Sequence, residues 1–225
     1  MWPEQLASKF IILFLCLAVS KLFRQEIISM LKSITSNETT LSDYRKLTFM
    51  LIIATTPIIA VGLGFSDLIA ARIFNISSIA IANVIFAILL LLVFLNRKEN
   101  VAIFEITLKA AVVIGVFQCL ALIPGASRSG MAITGAILIG LNLKDASKFA
   151  FLLAIPTILG ALTLLVLDLS NENVTFELLN LSIGFLTSMI FAFFTIKIFL
   201  KIVEKIGMIP FVAYRVLLGI FLLII

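Results

Sequence analysis

The chain has 225 residues, 62% of them hydrophobic and only 13% charged, with a formal charge of +5. Soluble domains run near half apolar and a quarter charged, so this composition excludes a soluble protein and specifies an integral membrane one. Its long Leu, Ile, Phe, Ala and Val runs demand helices rather than an alternating barrel pattern, and the surplus Lys and Arg marks cytoplasmic loops rather than a nucleic-acid partner.

The first apolar segment, about 6–23, is interrupted by Lys9 and barely reaches the roughly 20 residues that a span needs. Ala18-Val19-Ser20 resembles a cleavage pattern, but Glu4 stands where a signal peptide would be basic, so a retained membrane segment is expected. The link 21–46, with Lys21, Arg24, Lys32, Arg45, Lys46 and a Ser/Thr/Asn patch, predicts a positively biased loop. A second span, 47–65, carries Pro57, whose freed carbonyl the Thr55 and Thr56 hydroxyls or a neighbouring helix are expected to satisfy. After a turn with Asp67 and Arg72 comes a third span, 76–95, in which Asn83 reads as interhelical glue.

The stretch 101–143 differs. An apolar helix, 106–123, runs into Ile123-Pro124-Gly125-Ala126-Ser127-Arg128-Ser129-Gly130, and the limb 131–143 is too short to cross a bilayer. A broken helix pair that enters the membrane and returns fits this pattern. Three segments follow: 148–167 with Pro156, 178–200 ending in the basic cluster Lys197, Lys201 and Lys205, and 208–225. With a re-entrant pair, every basic link falls on one side, and Asp67, Asp168, Glu172 and Glu177 fall on the other. Two full crossings would give the same sidedness, so the short second limb decides. The expected fold is all-α: a polytopic bundle of about six spans and one re-entrant helix-loop-helix hairpin in a single domain. Residues 1–100 would be the remnant of a first repeat and 101–225 a second repeat. Cys16 and Cys119 lie in apolar runs and read as buried small hydrophobes.

The Pro-Gly turn carries the chemistry. Gly125 and Gly130 permit a tight turn and close approach to a ligand, and a helix beginning near Gly130 would aim its free N–H groups back into the loop, a ready anion site. Ser127 and Ser129 add hydroxyls, and Arg128 adds a planar fork suited to phosphate oxygens. An arginine at membrane depth costs at least a few kcal/mol unless paired or solvated, and a bound anion would account for it. The bland alternative is a helix cap with a snorkelling arginine. Gln118, about one and a half turns before Pro124, is placed to face the loop. Glu99, Glu105, Lys144 and Asp145 read as interfacial loop charges. No histidine is present, which removes the commonest general base and metal ligand, and no metal-ligand cluster or nucleotide fingerprint is seen.

The run from Gln118 to Gly130 (QCLALIPGASRSG) resembles the second signature of the bacterial undecaprenyl-diphosphate phosphatase family, also called bacitracin-resistance proteins. The resemblance extends through Phe149–Gly160 (FAFLLAIPTILG), the Ile209–Arg215 run IPFVAYR and the proline-containing segment 54–64, covering essentially the whole chain. It implies a multi-pass enzyme of the bacterial inner membrane that removes the terminal phosphate of undecaprenyl diphosphate, recycling the lipid carrier of cell-wall synthesis and giving bacitracin resistance. The implied fold has two re-entrant hairpins in inverted repeats, with the active site facing the periplasm. By this resemblance Ser127 and Arg128 hold the diphosphate, assisted by Ser129 and by the loop at Gly125, Ala126 and Gly130, with Gln118 and Thr134 as further substrate-binding positions. The implied partners are the polyprenyl diphosphate and membrane lipids, without nucleic acid, and a homodimer is allowed. No cofactor is expected in this chain, although the full family site leaves room for a divalent cation.

Two departures matter. The family's first signature, with two glutamates, a serine-rich loop and a histidine, precedes the first span and is missing here. A threonine usual shortly after Ser-Arg-Ser-Gly is Ala132, and Thr134 lies about 200° around a helix from it. The phosphate-holding half of the site is therefore present and the activating half is not. The chain as written is expected to be weak or inactive, from a start codon placed too late or a truncated gene. The alternative is a carrier or binding protein for a phosphorylated lipid or small anion, since broken helices are common in transporters. A third reading is an inactive paralogue that only binds. A histidine-nucleophile lipid phosphatase is excluded.

Overall fold

Side-chain caps set the starts of several helices in this chain, among them Asn75, Thr107 and Ser127. The structure, a computed structural model, describes residues 19–36, 38–64, 75–169 and 178–224. These residues are all helical, apart from 3-10 turns, short links and one isolated bridge between Val101 and Leu141. The bulk of the predicted first segment with Cys16, the turn with Asp67 and Arg72, and Glu172 and Glu177 lie outside the described residues.

The expected loop at 21–46 instead contains a helix, α1 (Arg24–Thr35). Counting its charges hid an apolar stripe at helical spacing: Phe23 and Met30 are buried and Ile27 packs against them. Arg45 secures its end, donating from Nε to Ser33 O at 2.9 Å and from Nη2 to Ser36 O at 2.6 Å, so terminal carbonyls find a partner. Helix α2 (Ser42–Gly64) runs through Pro57. Thr55 Oγ1 donates to Leu51 O and Thr56 Oγ1 to Ile52 O, so these hydroxyls serve carbonyls other than that of Ile53, the one that the proline frees. Helix α3 (Ile76–Leu95) has the predicted bounds, because Asn75 Oδ1 accepts from Ser78 N at 2.7 Å and sets its start.

Helix α4 (Leu108–Cys119), capped by Thr107, continues through a 3-10 turn (Leu120–Leu122) to the Pro-Gly turn. Helix α5 (Arg128–Leu138) has 11 residues and rises about 16 Å, little more than half of the roughly 30 Å hydrocarbon thickness. The two ends of the 101–141 segment meet: Val101 N donates to Gly140 O at 3.0 Å. Asp145 fastens the junction, its Oδ2 accepting from Ile103 N at 3.2 Å and from Asn142 Nδ2 at 3.1 Å. Helices α6 (Leu143–Leu169), α7 (Leu178–Ile206) and α8 (Ile209–Ile224) complete the bundle. α6 begins before, and α7 ends after, the predicted bounds, because their charged ends extend the same helices past the membrane-like core.

Three helical stretches among the described residues are long and apolar enough to span a bilayer, Thr39–Gly64, Ile76–Leu95 and Leu186–Ile206. α8 lies along α3, α4 along α2, and α5 sits among α3, α4 and α6. Consequently α5 is buried continuously from Gly130 to Ile137. Small residues allow this closeness: a Cβ on Gly115 of α4 would run into Ala54 O and Pro57 of α2. Lys148 pairs with Glu26 at 2.7 Å and Lys144 with Glu204 at 2.9 Å, which gathers α1, the start of α6 and the end of α7 at one end of the bundle.

Candidate functional site

The turn between α4 and α5 is built from its backbone outward. Ala126 N donates to Ile123 O at 3.0 Å, and Gly125 takes φ +97°, a left-handed conformation that favours glycine. A Cβ there would also strike Ile79 O, so the turn rests directly on the α3 backbone. Ser127 is the N-cap of α5: its Oγ accepts from Gly130 N at 3.2 Å and lies 3.4 Å from Ser129 Oγ. The helix thus starts at Arg128, two residues before the glycine where the sequence suggested. The first amides of a helix lack intrahelical partners, and here they belong to Arg128 and Ser129, at the positive end of the helix dipole.

A second arginine reaches the same turn. Arg215 of α8 is only 4% exposed, yet its guanidinium touches no carboxylate among the described residues. Nε donates to Asn83 Oδ1 at 2.7 Å and Nη2 to Gly125 O at 2.7 Å, while Asn83 Nδ2 donates back to Arg215 O at 2.7 Å. The remaining nitrogen, Nη1, is buried without a hydrogen-bond partner. It lies 3.4 Å from where a Cβ of Gly130 would stand, over the first turn of α5. Arg128 itself is half-buried and has no hydrogen-bond or ion-pair partner among the described residues. The Arg215 guanidinium, two hydroxyls and a helix N-terminus whose first residue is Arg128 therefore meet at one turn, with no carboxylate paired to either arginine among the described residues, and this geometry suits a phosphate or diphosphate.

Sequence reasoning missed Arg215 as a site residue. The signal was available, since it is an arginine within the last apolar segment, the same argument that singled out Arg128. Ala126 is buried in the turn, and Gly130 is buried beneath Ser127. Gln118 and Thr134 sit in the interior. Gln118 Nε2 donates to Thr157 Oγ1 at 2.9 Å while its Oε1 lacks a partner, and Thr134 Oγ1 donates to Gly130 O at 2.7 Å, bracing the first turn of α5. Glu99, Glu105, Lys144 and Asp145 stand apart in the segments around 97–105 and 142–145: Glu99 pairs with Arg97, Glu105 accepts from Ala102 N, Lys144 pairs with Glu204, and Asp145 accepts from Ile103 N. Among the described residues no three His, Cys, Asp or Glu side chains come together, so they offer a divalent cation no donor set of their own. A cavity of about 610 Å³ opens elsewhere, between the ends of α3 and α5, lined by Leu92, Lys98, Asn100, Leu138 and Gly140. With one cation and no hydroxyl, it lacks the chemistry of the turn.

An all-helical bundle with apolar helices suited to span a bilayer defines the class: a membrane protein, here with a polar turn between two short helices. Residues 5–221 match the family of the bacitracin resistance protein BacA. The chain is 34% identical over 226 residues to an undecaprenyl-diphosphatase of Alcanivorax borkumensis, covering 99% of this chain and 85% of that one. It is 39% identical over 209 residues to an undecaprenyl-diphosphatase of Saccharophagus degradans, covering 90% and 76%. The chain belongs to the bacitracin resistance protein BacA family, whose membership places it among phosphatases, hydrolases of the membrane.

Proposed function

We propose that this chain hydrolyses undecaprenyl diphosphate to undecaprenyl phosphate and inorganic phosphate. The observation that carries the reading is the partnerless Arg215 Nη1 beside the Ser127-capped start of α5, whose first residue is Arg128, with no carboxylate paired to either arginine among the described residues. In the reaction, water adds to the terminal phosphorus and the bridging P–O bond breaks, leaving the electron pair on the lipid monophosphate. Charge on the transferring and bridging oxygens is what the two guanidiniums and the first-turn amides of α5 would stabilise. Ser127, Arg128 and Ser129 contact the phosphates, the loop at Gly125, Ala126 and Gly130 shapes the cradle, and Thr134 and Gln118 support it from behind.

The short α5 and the hydrogen bond joining Val101 to Gly140 support a re-entrant hairpin for 101–141. The basic segments at the opposite end support a turn that faces the periplasmic side of an inner membrane, where it would recycle the cell-wall lipid carrier and confer bacitracin resistance. Turnover by this chain should be slow. It has no histidine, and positioned acid–base help typically contributes about 10²–10⁴-fold.

Membranes carrying the chain, supplied with undecaprenyl diphosphate, should release phosphate, and Arg128→Ala should abolish the release. Uptake of the lipid into vesicles without any phosphate release would favour a carrier and overturn the proposal.

A further inference from the structure

The proposed clamp depends on an arginine that is buried, charged and aimed, and the sequence reading gave the side chain holding it no task beyond interhelical glue. Both polar atoms of the Asn83 carboxamide are spent on one residue: Oδ1 accepts from Arg215 Nε and Nδ2 donates to Arg215 O, each at 2.7 Å. Asn83 is itself only 8% exposed, on the α3 helix against which the Gly125 turn rests. Fixing Nε and Nη2 fixes the guanidinium plane, so the direction of Nη1 is no longer free. The orienting group is also neutral. A carboxylate at this position would hold the same Nε–H but cancel the charge that an anion needs, whereas a carboxamide holds it and leaves the charge uncompensated.

Resting on the diphosphate reading above, we infer that Asn83 is a positioning residue. It acts through Arg215, holding Nη1 over the first turn of α5 as an uncompensated cation for one phosphate of the substrate. Asn83 touches no substrate itself.

The test uses the purified full chain in detergent, titrated with farnesyl diphosphate as a soluble probe, with thermal unfolding of each variant in parallel. Asn83→Asp should bind the probe about ten- to a hundred-fold more weakly, because its carboxylate neutralises Arg215; it also loses the Nδ2 donor to Arg215 O, so its affinity is read at a temperature where the Tm measurement shows it folded. Asn83→Ala should also weaken binding, and the loss should vanish in an Arg215→Met background, as expected of a residue acting only through Arg215. A merely structural Asn83 would lower Tm and leave the affinity of the folded protein unchanged. Binding by Asn83→Asp equal to wild type, or additive losses in Asn83→Ala with Arg215→Met, would overturn the inference. If Asn83→Asp does not fold, the Asn83→Ala cycle decides. Failure of the wild-type chain to bind the probe would instead overturn the underlying diphosphate reading, so the two failures are told apart.

Discussion

Replacing Gly125 with alanine is the sharpest perturbation of the turn. Its φ of +97° is one that a side chain strains, at about 1–2 kcal/mol. The new Cβ would also be driven into Ile79 O and stand 3.2 Å from Asn83 N, and both are backbone atoms of α3 that cannot swing aside. Overpacking of that kind typically costs about 1–3 kcal/mol, so a total near 2–5 kcal/mol is expected. In a chain of this size that corresponds to a fall in Tm of roughly 4–20 °C. The turn would also lift from α3, and with it the Gly125 carbonyl that holds Arg215 Nη2, so binding of a diphosphate should fall along with stability. Gly62→Ala is the matched control: among the described residues, no atom outside its own stretch of helix lies within 4 Å of its would-be Cβ, and alanine in a helix interior gains about 0.5–1 kcal/mol. Thermal unfolding in detergent with a parallel probe titration measures both effects. A Gly125→Ala protein with wild-type Tm and affinity would refute the placement of the turn against α3.

Arg128→Leu should do the opposite to stability. The half-buried guanidinium has no partner to lose among the described residues, so removing it should leave Tm unchanged or raised while kcat/KM for a polyprenyl diphosphate falls by about 10²-fold or more, as steady-state phosphate release would report. Ser127→Ala removes the cap on Gly130 N and should cost about 1 kcal/mol in unfolding free energy, whereas Ser127→Asp should keep the cap but repel the anion, separating the two roles of that hydroxyl. The Glu26–Lys148 pair gives a pH signature. Burial pushes the Glu26 carboxyl up, but the hydrogen bond from Lys148, a backbone hydrogen bond and the Lys148 charge together outweigh that and leave it lowered. Its contribution is therefore present above the ordinary carboxylate range and is lost as pH falls through the lowered folded value. Being partly exposed, it should amount to less than about 1 kcal/mol, and the acid dependence should disappear in Lys148→Met.

Much of the fold was legible because hydropathy and caps coincide: Asn75 and the apolar run after it place α3 to the residue. The polar turn was legible because its residues are expensive in a membrane, which is why Ser127 and Arg128 stood out before any geometry was known. What escaped shares one cause, contacts between segments distant in sequence. Arg215 and Asn83 are separated by 132 positions, and neither the close approach of α8 to α3 nor the direction of Nη1 has a local signature. α1 was hidden for a different reason, since its many charges outweighed a stripe of only Phe23, Ile27 and Met30. Likewise, Thr55 and Thr56 were matched to Pro57 by proximity, whereas their hydroxyls follow the ordinary reach to the carbonyl four residues back.

The central claim is that the α4–α5 turn is a diphosphate clamp closed by two arginines from different helices. Titrating the purified chain with farnesyl diphosphate, alongside an Arg128→Leu/Arg215→Met variant shown to be folded, tests it most directly. Saturable binding by the wild type is expected, and none by the double variant at the same concentrations. Equal binding by the two proteins would contradict it.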